Sequence, residues 1–82
     1  MIFKATVTTF SGLRVFAVNA DNESDARYDI RSAANVATGM HYGQLKIIEL
    51  SRSNRRILAN MVPVRNCLSY ATGNPVQWAW MA

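Results

Sequence analysis

The sequence predicts an α+β fold: an antiparallel sheet of four to five strands with one main helix packed on one face, in the order β-β-α-β-β-β, residues 1–82 forming one domain. Three observations lead there. Residues 2–20 read as two apolar-alternating strands about Ser11-Gly12. Residues 22–39 carry a capping residue, helical apolar spacing and a stopping glycine. Residues 44–80 return to short strand-like stretches broken by turn residues. A helix segregated to one face of an antiparallel sheet is the α+β architecture.

The first pair comes from alternation. With Ser11-Gly12 as a two-residue hairpin loop, Phe10 faces Leu13, Val7 faces Phe16, Ala5 faces Val18 and Phe3 faces Ala20. Side chains alternate faces along a strand, so Phe3, Ala5, Val7, Phe16, Val18 and Ala20 share an apolar face. The other face is mixed and includes Phe10, Leu13 and Val15. Asn22 then reads as a helix N-cap, with Asp25 in the place of a capping-box acid and Glu23 where the helix dipole favours negative charge. Ala26, Ile30, Ala33, Ala34 and Ala37 recur at spacings of three and four, and Gly39 is the expected stop. This alanine-rich stripe lets the helix lie close to a sheet.

Residues 44–51 and 55–62 read as a second hairpin about Ser53-Asn54, in which Leu50 meets Ile57 and Ile48 meets Ala59. Pro63, which has no N–H to give a ladder, is expected to end it. Residues 63–74 read as an irregular connection with a short helical turn over 64–70, closed by the turn signal Thr72-Gly73-Asn74-Pro75. The tail Val76-Gln-Trp-Ala-Trp80 alternates and reads as a last short strand, with Val76, Trp78 and Trp80 on one side. The sheet face away from the helix is expected to stay partly open.

Composition narrows the class. Half of the 82 residues are hydrophobic, too many for a disordered chain, and no apolar run approaches the ~20 residues of a membrane span. The N-terminal segment lacks a basic start and cleavage site, so no signal peptide is expected, and a cytoplasmic location and no membrane partner follow. Cys67 is the only cysteine, which rules out an intrachain disulfide and fits a reducing compartment. Nine Lys/Arg against five Asp/Glu give a net charge of +4. That tilt suits an acidic protein surface or phosphate and excludes mimicry of DNA by an acidic surface.

Catalytic chemistry is poorly represented. His41 and Cys67 are single residues of their types, and a Cys–His pair has no visible orienting group. Four zinc ligands at characteristic spacing are absent, and Asp21, Glu23, Asp25 and Asp29 lack the ligand pattern of a calcium loop; helix capping and solvent exposure account for them. Gly39 and Gly43 flank a helix exit rather than a phosphate grip. No cofactor and no enzymatic activity are expected.

Two features point to binding. Arg52, Arg55 and Arg56 crowd the expected second turn, with Arg65 placed nearby, and a guanidinium fork bonds phosphate or carboxylate bidentately. Phe10 and Leu13, with Val15, form an apolar patch on the first hairpin unless the tail with Trp78 and Trp80 covers it. Exposed, that face would serve a partner or a homodimer. Scattered aromatics among the arginines leave nucleic-acid binding as an alternative.

A strand pair ending in Val18-Asn19-Ala20, a capped helix beginning Glu23-Ser-Asp-Ala-Arg27 and a following strand Lys46-Ile-Ile-Glu49 resemble small phage and prophage proteins. In order and size the chain resembles anti-CRISPR proteins that inhibit type I surveillance complexes. The likeness spans most of residues 2–62 as a pattern, matches no motif residue by residue, and transfers no binding site. It implies a phage inhibitor, acting in the host cytoplasm, that docks on a CRISPR–Cas complex to block DNA access or nuclease recruitment. The alternative is a small nucleic-acid-binding accessory or regulatory protein using the same arginines. Salt separates the two: nucleic-acid affinity falls steeply with salt, and an apolar-centred protein interface is less sensitive.

Overall fold

The computed structural model describes residues 1–70 and 72–81. It is an α+β fold with one main helix and a five-stranded antiparallel sheet. Strands β1 (Ile2–Thr9) and β2 (Gly12–Asn19) precede helix α1 (Glu23–Thr38); a 3-10 turn at Tyr42–Gln44 leads to β3 (Lys46–Ser53). A 3-10 helix at Arg55–Asn60 connects to β4 (Val62–Leu68), and β5 (Pro75–Trp80) follows. The strands lie in the order β3-β1-β2-β5-β4.

The first hairpin forms with its expected faces and a different register. Thr9 pairs with Gly12, Ala5 with Phe16 and Phe3 with Val18, so the loop is Phe10-Ser11 rather than Ser11-Gly12. The shift is two residues, one full side-chain period, so every residue stays on its predicted face. Gly12, at φ 113°, supplies the backbone conformation that L-residues avoid, and Thr9 Oγ1 donates to the Gly12 carbonyl at 2.7 Å. Phe3, Ala5, Val7, Phe16 and Val18 are all buried against α1.

Helix α1 begins and ends where the sequence says. Asn22 Oδ1 accepts from the Asp25 N–H at 2.9 Å. The Asp25 carboxylate takes the Asn22 side-chain amide at 3.1 Å. A capping-box Glu would reach the cap's backbone N–H instead. Gly39 is left-handed (φ 73°) and its N–H closes on the Asn35 carbonyl. The buried stripe is Ala26, Ile30, Ala33 and Ala34, as the spacing requires, with Asp29 added to it. Asp29 was expected to be solvent-exposed; it is 3% exposed. Its carboxylate accepts from Ser69 Oγ at 2.7 Å and from the Tyr70 N–H at 3.0 Å. Buried charge is tolerated only when hydrogen-bonded, and here it ties the β4–β5 turn to the helix. That turn is further held by Ser69 N–H to the Asn74 carbonyl and by Thr72 Oγ1 to the Asn19 carbonyl.

The expected second hairpin does not form. β3 pairs with β1, and β4 lies at the far edge beside β5. Residues 55–60 are helical because Asn54 caps them, its Oδ1 accepting from the Arg56 N–H at 3.0 Å. Ile57 and Leu58 are both half-buried, a pair of neighbours no alternating strand could turn the same way. The segment crosses the sheet face opposite α1. Ile57 sits with Lys4, Thr6 and Val15, Leu58 with Ile2 and Gln77, and Met61 with Val15 and Ala79. The face expected to stay partly open is covered at this end, where Ala17 has no exposure and Ile2 8%, and open at the hairpin end, where Phe10 is 74% and Leu13 39% exposed.

Pro63 does not end a strand; it lies inside β4. β4 is an edge with a neighbour on one side only, the kind of strand in which proline is tolerated. The expected irregular connection over 63–74 is strand as far as Leu68; Ala71 within it lies outside the described residues. Asn66 adopts φ 58°, and the β4–β5 register breaks between Pro63 and Leu68. Val64 and Cys67, three apart, both face the core as a result. The final strand forms as read from its alternation, with Val76 fully buried and Trp78 against the core.

Candidate functional site

The structure separates the six residues that the sequence marks for binding. Arg52 is exposed near the end of β3, opposite Phe3, and Arg55 and Arg56 are exposed at the start of the 3-10 helix. These three remain neighbours in the chain, at one end of the sheet, and Arg55 borders a cleft with Asn19, Asn74 and Gln77. Arg65 is not nearby. It sits in β4, four strands across from β3, about 19 Å at ordinary strand spacing. Phe10 and Leu13 lie at the hairpin end of β1 and β2, about 20 Å along the strands from Arg52. Phe10 is 74% exposed and Leu13 39%.

The two indoles of the tail do not cover that patch. Pairing of Arg14 with Trp80 and Phe16 with Trp78 places both indoles on the α1 face of the sheet. Leu13 points the other way, and its carbonyl accepts the Met81 N–H. Val15 is half-buried beneath Ile57 and Met81.

A site absent from the sequence reading lies on the α1 face. The Arg14 guanidinium carbon is 4.3 Å from the Trp78 ring centre and 4.4 Å from that of Trp80. The two indoles meet edge to face, 5.4 Å apart at 82°. A cation wedged between two indoles is attracted by both ring quadrupoles. Arg14 Nε is buried with no hydrogen-bond partner among the described protein atoms. Beside it, Val36, Ala37, Pro63, Val64 and Arg65 line a groove of about 340 Å³. Val36 and Val62 at its margins are each 54% exposed. The signal was in the alternation: Arg14 shares the parity of Phe16 and Val18, so a charged residue on the apolar face was legible. Its partners, more than sixty residues later, were not.

Charge is sorted over the surface. Three of the five acids, Asp21, Glu23 and Asp25, cluster at the start of α1; Asp29 is buried; Glu49 is on the distant β3 edge. The only ion pair among the described residues is Arg27–Glu23 at 3.2 Å, exposed and of little energetic weight. Arg14, Arg52, Arg55, Arg56 and Arg65 therefore have no carboxylate partner among the described residues.

Cys67 is buried in the core, and its thiol is held above the usual pKa of 9.0 by burial first and by the Asp29 charge second. A raised pKa keeps it protonated and unreactive at neutral pH. His41 is exposed, its backbone N–H donating to Gln44 Oε1, and no hydrogen bond joins it to Cys67. Among the described residues no three His, Cys, Asp or Glu side chains gather where a metal ion could sit. No helix of the described residues is long and apolar enough to cross a membrane.

No protein-family model matches the chain, and no curated protein or solved structure shows significant similarity to it.

Proposed function

We propose that this is a non-catalytic binding protein that acts by docking on an anionic surface of a larger assembly. The observation behind this reading is the set of exposed arginines, Arg52, Arg55, Arg56 and Arg65, that face solvent without a carboxylate partner. Unpaired guanidiniums at the surface are free to take phosphate or carboxylate bidentately, with a gain in association rate as well as in affinity. The anti-CRISPR resemblance makes the assembly a type I CRISPR–Cas surveillance complex in a host bacterium, blocked by occlusion.

The test is capture by the tagged chain from bacteria with an active type I system, with and without nuclease, read by mass spectrometry. Stoichiometric Cas subunits surviving nuclease support the reading. Reversing Arg52, Arg55 and Arg56 together to Glu is expected to weaken that capture at least about tenfold. Nucleic acid alone, lost on nuclease treatment, would remove the inhibitor reading. A second reading, direct binding of nucleic acid, is favoured by one observation, the Arg14 guanidinium packed against two indoles.

A further inference from the structure

We infer that the groove between α1 and the β4–β5 edge, together with the adjoining Trp80, binds a short stretch of single-stranded nucleic acid, with Trp80 as the base-stacking platform and Arg14 and Arg65 as the phosphate contacts. This deepens the second reading above and does not depend on the identity of any protein assembly.

Charge complementarity is the first argument. The groove holds two guanidiniums and no carboxylate. Its one neighbouring acid, Asp29, is buried and engaged by Ser69 and Tyr70. The other four acids lie at the start of α1 and on the far edge strand. An anionic occupant meets no repulsion there.

The aromatic arrangement is the second. Trp80 lies outside the groove's own lining and adjoins it through Arg14, which lines the groove and lies 4.4 Å from the Trp80 ring centre; Trp80 is 50% exposed, so part of its indole is open to a ligand. A cationic groove with an open indole is the combination that single-stranded nucleic acid uses, phosphate on Arg and base on the ring. An acidic peptide would satisfy the arginines and leave the indole unused. The groove volume, about 340 Å³, is at the small end of ligand sites and fits a unit of nucleotide size. A duplex buries its bases, and α1, the only α-helix among the described residues, is packed along the sheet with three acids at its exposed start.

The chain has only two tryptophans, and both pack on Arg14 at this groove, so tryptophan emission excited selectively over the three tyrosines reports it. The experiment titrates the full chain with a ten-nucleotide oligothymidylate and, in parallel, a ten-residue polyglutamate, at about 50 mM and 200 mM salt. Expected are fluorescence quenching by the oligonucleotide, an affinity falling with a log–log salt slope near −1.4 for two phosphates, and no quenching by polyglutamate. Trp80→Ala should weaken oligonucleotide binding roughly 5- to 150-fold, with Trp80→Phe recovering part of it. Arg65→Glu, at an exposed position without hydrogen bonds, should weaken it about tenfold or more. Circular dichroism of each variant confirms folding.

Absence of quenching at the lower salt overturns the proposal. So does equal binding of polyglutamate, which would make the groove an acidic-protein contact. So does binding that Trp80→Ala and Arg65→Glu leave intact while reversal of Arg52, Arg55 and Arg56 abolishes it. Cas capture and oligonucleotide quenching are separate readouts, so loss of one leaves the other standing.

Discussion

Asp29→Ala should be the most damaging single truncation of a polar side chain in this protein. The carboxylate is 3% exposed and accepts two hydrogen bonds, from Ser69 Oγ at 2.7 Å and from the Tyr70 N–H at 3.0 Å. Hydrogen bonds to a charged group contribute about 1.5–3 kcal/mol each, offset by the desolvation of the carboxylate that truncation relieves. A net loss of about 2–4 kcal/mol follows, against a total stability of roughly 4–12 kcal/mol for a domain of this size. At about 4–8 °C per kcal/mol the melting temperature should fall by about 8–32 °C. Ser69→Ala keeps the Tyr70 bond and should cost about 1–2 kcal/mol, and the double variant should show a coupling of about 1–2 kcal/mol. Asp29→Asn should be milder than Asp29→Ala, because its oxygen still accepts from Tyr70 and its amide can donate to the Ser69 hydroxyl oxygen. Thermal melts followed by circular dichroism measure all four. An Asp29→Ala melt within about 3 °C of the parent, or an Asp29→Asn loss as large as that of Asp29→Ala, would refute the clamp.

Two further predictions concern β4. Asn66 sits at φ 58°, where a β-branched side chain is strained and glycine is not. Asn66→Gly should therefore be within about 0.5 kcal/mol of the parent and Asn66→Val should lose about 1–2 kcal/mol; urea unfolding that ranks the two the other way would contradict the bulge. Cys67 has its pKa raised by burial and by the Asp29 charge. The neutral thiol is favoured in the folded chain, so its contribution to stability is whole below pH 9.0 and is lost as pH rises through the higher folded value. The parent should lose stability above pH 9.0 more steeply than Cys67→Ala, with the difference reduced on an Asp29→Asn background. Equal slopes for parent and Cys67→Ala would show that the thiol is not desolvated.

What could be read from the sequence was what local pattern determines. Alternation assigned the faces of β1, β2 and β5, and spacing with Asn22 and Gly39 assigned α1 and both its ends. The hairpin loop was misplaced by one residue and the strand partners by two, because faces repeat every two and the apolar pattern could not separate Phe10-Ser11 from Ser11-Gly12. The second hairpin was misread for a different reason. Residues 44–62 offered a local partner, and the actual partner of β3 is β1, some forty residues earlier. Nothing local distinguishes the two pairings except Asn54, whose cap starts a helix, and the adjacent Ile57 and Leu58, which break alternation. Asp29 carried no local sign at all, because what makes it burial-compatible is Ser69, forty residues on. The candidate binding residues fared similarly. Exposed arginines were legible as residues, and their grouping was not, since Arg65 joins Arg14 and Trp78 rather than Arg52.

The misread connection is also what gives the protein its surface. Had residues 44–62 closed as a hairpin, one face of the sheet would have stayed bare and the apolar residues on it would have been the obvious place for a partner. Instead the 3-10 helix lays Ile57 and Leu58 across that face and sends β4 to the opposite edge. Burying that face stabilises the fold by about 25 cal/mol for each Å² of apolar surface removed from water. Several exposed apolar groups lie at the rims: Phe10 at the hairpin end, Val36 and Val62 beside the groove, Tyr28 against Tyr70 at the β4–β5 turn, and Ile48 on the β3 edge. With Arg65 carried across to the β4 edge, a guanidinium reaches the one place where Trp78, Trp80 and Arg14 already meet. The crossover thus removes one potential interface and assembles another, so a binding surface on this chain is better sought along α1 and β4 than on the face of the sheet.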